Sequence, residues 1–169
     1  MKKIFSLLSV AILAGSLALS SCSSRQESQA TEAETEVAAT EETVETPVVS
    51  LADQTRNEEG IIVLTDGNLI KPGAKLDKLT VIDFSAVWCG PCKQFAPAFE
   101  AAAKKYGDRV NFVSVDIDKV PNMMGDFNLE PSIPTVLFIK PDGTYTSKMG
   151  TADLLPAEKF EALLDENLK

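Results

Sequence analysis

The chain has 169 residues, a formal net charge of −9 and no histidine. That length is a prior for one domain, and the missing imidazole removes Ser–His and Cys–His nucleophile pairs and histidine metal ligands. With three cysteines, one of them assigned below to an anchor, a tetrahedral Cys/His zinc site cannot close within the chain; no basic patch is present, so nucleic acid is not an expected partner.

Met1-Lys2-Lys3 is a short basic start, followed by an apolar run from Ile4 to Leu19. The run is short for a membrane span and has the flanks of a secretory signal. It ends in Leu19-Ser20-Ser21-Cys22, which resembles the lipobox of bacterial lipoproteins. The resemblance implies that residues 1–21 are a signal peptide cleaved after Ser21 and that Cys22 is diacylated. Two or more acyl chains anchor stably where one alone is marginal. The alternatives are an ordinary signal peptide with a stray cysteine, or an uncleaved anchor. Export and lipid anchoring to a bacterial membrane, outer or inner and facing the periplasm, are the expectation. Ser23 resembles an outer-membrane sorting residue of some bacteria.

Residues 22–57 read as the lipidated cysteine and an acidic tether. Residues 23–50 hold seven Glu against the single Arg25, and the segment has no aromatic residue and one short apolar patch, Val48-Val49-Ser50-Leu51. Such a composition buries too little surface to offset the entropy of ordering it. A flexible coil of about 35 residues spans roughly 30–35 Å, and like charges extend it further.

The folded domain is expected over residues 58–169. Ile61-Ile62-Val63-Leu64, closed by Thr65-Asp66-Gly67, reads as a strand and turn. Leu79 to Ala86 is a buried strand by its apolar, β-rich content. Beyond Pro91, the residues Phe95, Phe99, Ala102 and Tyr106 recur at helical spacing, with Gly107 as the stop. Val110–Val115 is a third strand, a short helix is expected near Met123–Phe127, and Pro134–Ile139 is a fourth strand. Pro141-Asp142-Gly143 is a turn that returns Thr144–Met149 as an antiparallel hairpin. Phe160, Leu163, Leu164 and Leu168 mark an amphipathic terminal helix. The pattern is that of an α/β domain with a mixed central sheet flanked by helices. The pair Met123-Met124 reads as gap-filling core rather than a redox or copper site.

The segment with most chemical content is Trp88-Cys89-Gly90-Pro91-Cys92-Lys93. A Cys-x-x-Cys pair between a buried strand and a helix points to redox chemistry. Unpaired N–H groups and partial positive charge at a helix N-terminus favour a thiolate. Cys89, at the tip, is therefore expected to be the exposed, low-pKa nucleophile. Cys92, one turn in, resolves the mixed disulfide. Pro91 lies in the first turn, where its missing N–H costs nothing. Asp83, embedded in an apolar strand, needs either a partner or a raised pKa; a solvated edge position is the alternative.

From Ile61 to Lys169 the chain resembles the thioredoxin family, whose active-site sequence is Trp-Cys-Gly-Pro-Cys-Lys. The resemblance implies a thioredoxin fold and thiol–disulfide oxidoreductase activity. It implies that Asp83 takes the proton of Cys92, that Pro97 kinks the helix, and that Ile133-Pro134-Thr135 is the Ile-cisPro-Thr loop facing the disulfide. Trp88 is a groove wall or a packing residue, and Gly90 and Pro91 support the site. Trp88, Ile133, Thr135 and Gly150 bind substrate. Two residues depart from the family pattern: Ser114 stands where many members carry Lys near the buried Asp, and Ser85 replaces the first groove Trp. Between Asp118 and Pro134 there is no room for the long insertion of cytochrome-maturation members.

The expected activity is dithiol reduction of exported protein disulfides, with a membrane thiol as electron donor and the protein as a monomer. Neither a metal nor an organic cofactor is expected. A periplasmic oxidant or isomerase is one rival reading; a non-catalytic module that binds partners through the groove beside Pro134 is the other.

Overall fold

The computed structural model describes residues 47–169; the signal, lipobox and most of the tether, with Cys22, lie outside the described residues. Five strands form one mixed sheet in the order β1-β3-β2-β4-β5. They are β1 (Ile62–Leu64), β2 (Leu79–Ser85), β3 (Val110–Asp116), β4 (Thr135–Ile139) and β5 (Tyr145–Met149). β3 runs parallel to both β1 and β2, whereas β4 runs antiparallel to β2 and to β5. Four helices complete the domain: α1 (Gly90–Tyr106), α2 (Met123–Asp126), α3 (Thr151–Leu154) and α4 (Ala157–Asn167). The short α3, Thr-Ala-Asp-Leu, has no periodic apolar pattern to mark it in the sequence.

Alternation along the strands sends side chains to two cores, one on each face. Val81, Val110, Phe112, Val136 and Phe138 face α1 and α4, where Phe95, Phe99 and Phe160 meet them. Phe95 and Phe160 meet edge to face, with ring centroids 5.0 Å apart. On the other face Ile62, Ile82, Phe84, Val113 and Leu137 pack with Met123, Met124 and Phe127. The two methionines are therefore core residues.

The domain begins earlier than residue 58. Leu51 is fully buried in the second core, and Val49 N–H donates to the Lys75 carbonyl at 2.7 Å. The Arg56 guanidinium donates to the carbonyls of Gly60 and Leu51 and to Asn111 Oδ1. The reason is local: in the patch Val48-Val49-Ser50-Leu51, alternate residues Val49 and Leu51 turn inward while Val48 and Ser50 face solvent. A composition averaged over residues 22–57 hides so short a segment.

The connection from Ile70 to Leu76 packs against the β4–β5 turn. Gly143, at φ 87°, lies so close to Gly73 that an added Cβ would stand 2.8 Å from its carbonyl oxygen. Leu76 N–H donates to the Pro141 carbonyl. This turn and the strap at Val49–Arg56 lie at the end of the sheet where β2 and β3 begin. The loops that follow the last residues of β2 and β3 lie at the other end.

Candidate active site

β2 is the central strand, and its C-terminal end delivers the chain into α1 through Ala86-Val87-Trp88-Cys89. Cys89 is the N-cap of α1 and its Sγ accepts a hydrogen bond from Cys92 N–H at 3.1 Å. An N-cap acceptor satisfies one of the unpaired donors of the first helical turn, and here the acceptor is sulfur. Gly90 and Pro91 occupy the first two helical positions, and Pro97 interrupts the hydrogen-bond ladder further on. Cys89 and Cys92 are joined as a disulfide, with their Cα atoms 5.3 Å apart.

Cys89 is not exposed in this oxidised form. It is 4% exposed, and with Cys92 and Ala86 it packs against Ile117 and Ile133. The solvent-facing groups at the tip are Val87, Trp88 and Gly90. Trp88 is 64% exposed, which removes the reading of it as core packing. Its Nε1–H donates to Asp118 Oδ2 at 2.8 Å, a contact with no signature in the sequence.

The Ile133–Pro134 peptide is cis, and Ile133 packs against the cysteine pair. Thr135 Oγ–H donates to the Ser132 carbonyl at 2.6 Å. Gly150 N–H donates to the Pro134 carbonyl at 2.8 Å, from a backbone with φ 78° that a side chain would strain. Ile133, Pro134, Thr135 and Gly150 thus belong to one connected stretch of backbone, with exposed Met149 beside it. A second cis bond, Leu155–Pro156, joins α3 to α4 and was not anticipated.

Asp83 sits on β2 between β3 and β4, opposite Ser114 on one side and Val136 on the other. It is 7% exposed, so the solvated edge position is excluded. Its Oδ1 has no hydrogen-bond partner among the described residues. Burial pushes the carboxyl up from 3.8 to about 7, and hydrogen bonding from the Ser85 side chain opposes the shift. Asp83 and Cys92 both line a cleft of about 350 Å³ between α1, β1 and the end of β3.

These parts make up a redox-active cysteine pair at a helix N-terminus, a buried acid behind it and a cis-proline loop packed against it. A thioredoxin family model matches residues 60–166. The chain belongs to the thioredoxin family. Thioredoxin from Borreliella burgdorferi is 38% identical over 90 residues, which are 53% of this chain and 74% of that protein. Thioredoxin from Acidithiobacillus ferridurans is 33% identical over 110 residues, 65% of this chain and 98% of that one. Among solved structures, the thioredoxin of Malassezia sympodialis matches with a TM-score of 0.54 at 30% identity, covering 63% of this chain and 90% of its own.

This member of the family is a thiol–disulfide oxidoreductase by its family and its close cysteine pair, and thioredoxins act on protein disulfides. The reaction exchanges one S–S bond for another through a mixed disulfide, and the pair supplies both sulfurs. Ser85 and Ser114, the two departures from the family pattern, both line the cleft at Asp83. The fold places them together.

Proposed function

We propose that this protein is an exported, lipid-anchored dithiol reductase. In its reduced form the Cys89 thiolate attacks a protein disulfide, giving a mixed disulfide and one substrate thiolate. Asp83 then takes the Cys92 proton, and the Cys92 thiolate attacks Cys89 Sγ. The bond between Cys89 and the substrate breaks, the Cys89–Cys92 bond forms, and the second substrate thiolate leaves. The observation that carries this reading is the cysteine pair seated on the α1 N-terminus, with Asp83 buried behind it.

The Gly90-Pro91 dipeptide supports the reducing direction, since it resembles the reducing end of the family. Trp88, Ile133, Thr135 and Gly150 form the docking groove, and Pro134 holds its loop. A membrane thiol carrier returns the electrons, and the protein works as a monomer.

The anchor is Cys22, after cleavage behind Ser21. No helix among the described residues is long and apolar enough to cross a membrane. The strap from Val49 enters the domain at the end of the sheet remote from Cys89.

The test is the redox potential of the Cys89–Cys92 couple, measured against glutathione or a thioredoxin of known potential. A value near about −270 mV is expected for a reductant; one near about −120 mV belongs to a strong oxidant and would reverse the direction. Insulin reduction by Cys89→Ser should fall to background. Persistence of partner binding with no redox activity in the unmodified protein would favour a binding module.

A further inference from the structure

Helix α1 covers only part of the sheet face on which it lies. Val81 and Phe112 meet it in the first core. The next row on that face is Val63, Ser114 and Asp83, paired in register across β1, β3 and β2. Val63 is 57% exposed and Ser114 is half-buried, whereas Asp83 is 7% exposed. The cleft of about 350 Å³ lies over this row, and its volume falls within the range of small-molecule sites. Its walls are largely apolar, with Ile61 and Val63 on one side and Ala96 and Phe99 of α1 on the other. Asp83 Oδ1 has no hydrogen-bond partner among the described residues, and no ion pair among them reaches this carboxyl. None of Ile133, Pro134, Thr135 and Gly150 lines the cleft, so it is separate from the docking groove.

The charges around the cleft select the sign of an occupant. From β3, Asp116 faces it, with Oδ2 paired to Lys119 Nζ at 3.2 Å. From α1, Lys93 and Glu100 stand exposed at the rim, one of each sign. The remaining neighbours are neutral: Val63 from β1, Val136 from β4 and Asn57 from the loop before β1. What is left over is the Asp83 carboxyl. A buried carboxylate is costly unless a cation or several donors meet it, and an anion entering the cleft would face it directly.

We propose that this cleft is a binding site for a small organic cation, a compact apolar body carrying one ammonium or amidinium group. The N–H groups of the cation donate to Asp83 Oδ1, and the body lies against Ile61, Val63 and Phe99. The site goes beyond the reductase reading and does not require Asp83 to be the base for Cys92. Burial holds the Asp83 carboxyl at about 7, and the cation binds its ionised form. Affinity should therefore level off above that pH and fall below it.

The probe is benzamidine, titrated into the oxidised full-length protein and followed by protein NMR, with benzamide and benzoate as neutral and anionic molecules of the same shape. Benzamidine should bind saturably in the millimolar range expected of so small a molecule, shifting the signals of Val63, Asp83 and Ser114. At pH 8 it should bind about ten- to hundredfold more tightly than either analogue, as hydrogen bonds to a charged group predict. Lowering the pH from 8 to 6 should weaken it about tenfold. Asp83→Asn should remove the preference for the cation. Ser114→Lys sets an ammonium opposite Asp83 and should abolish binding; the NMR spectrum of each variant shows that it is folded. No saturable binding of benzamidine to the unmodified protein would overturn the proposal, as would an affinity that neither Asp83→Asn nor the change of pH alters. The oxidised protein has no thiol proton to transfer, so these results leave the role of Asp83 as base to be decided by release of the mixed disulfide.

Discussion

Two buried polar side chains occupy opposite ends of the same sheet, and their surroundings differ. Asn111, near the start of β3, is fully satisfied: its amide donates to Asp77 Oδ1 at 3.0 Å and to Thr80 Oγ at 3.4 Å, and its carbonyl oxygen accepts from Arg56 at 3.3 Å. Asp83, near the end of β2, leaves Oδ1 with no partner among the described residues and carries a raised pKa. An unsatisfied buried polar atom costs about 1–3 kcal/mol, whereas a hydrogen-bonded one adds about 0.5–1.5 kcal/mol of net stability. The Asn111 end is therefore built for stability. The Asp83 end gives some of that stability up beside the reactive sulfurs, where a carboxyl poised near neutral pH can move a proton.

The strap end should respond most strongly to substitution. Leu51 is fully buried against Ile62, Val113 and their neighbours, so Leu51→Ala removes packing and leaves a cavity. A loss of about 2–5 kcal/mol is expected, read as a lower urea midpoint with an unchanged slope. The exchange rate of the folded variant should hold, because the substitution lies at the other end of the sheet. A loss below about 0.5 kcal/mol would return residues 47–57 to the status of a solvated tether.

The two ends were unequally legible in the sequence. The cysteine pair, Pro91 and the helix behind them are local: spacing within one turn fixes both the chemistry and the start of α1, and the resemblance extends over the same residues. Four strands were legible as apolar runs separated by turn signals, and the fifth, Tyr145–Met149, from the Pro141-Asp142-Gly143 turn that precedes it. The strap was not, since Leu51 is one apolar side chain in an acidic stretch and its partners lie far along the chain. The Trp88–Asp118 bond spans thirty residues and depends on how two loops meet. The closeness of Ser85, Ser114 and Asp83 needed the β2–β3 register, which no single-strand pattern contains. Cys89 was expected to be exposed from its place at the helix tip, but in the oxidised form it is buried with Ala86 and Cys92 against Ile117 and Ile133.

At the active end, removing the charge should stabilise. A carboxyl with a pKa near 3.8 when unfolded and about 7 when folded binds more protons in the native state between those values, so stability falls as pH rises through that window. Above pH 7 the full cost is reached, on the order of 4 kcal/mol. Asp83→Asn escapes it but buries an amide with poor partners, which costs about 1–3 kcal/mol. The variant should match or trail the wild type near pH 4 and exceed it by about 2 kcal/mol at pH 8. Denaturant unfolding of the oxidised proteins at the two pH values measures this. A gain independent of pH would mean that Asp83 does not titrate in the window, and release of the mixed disulfide would then need another base.

The smallest effect is expected at the rim of the groove. Trp88 is the only tryptophan of the chain, it is largely exposed, and its indole N–H is held by the Asp118 carboxylate at 2.8 Å. Both partners are exposed, so Asp118→Ala should change stability by less than about 0.5 kcal/mol. The function of such a bond is orientation. An indole already held in place has less freedom to lose when a substrate covers it, and immobilising one side chain costs about 0.5–1.5 kcal/mol. The alanine variant should therefore show a KM for protein disulfides about two- to fivefold higher, with kcat unchanged, because the lost energy belongs to binding and not to the exchange step. A small disulfide that does not reach the indole should be reduced at the wild-type rate. With a single tryptophan, fluorescence anisotropy reports the same bond directly and should fall in the variant. Unchanged anisotropy together with unchanged KM would mean that the hydrogen bond does not order the ring, and that Trp88 meets substrate as a freely rotating apolar surface.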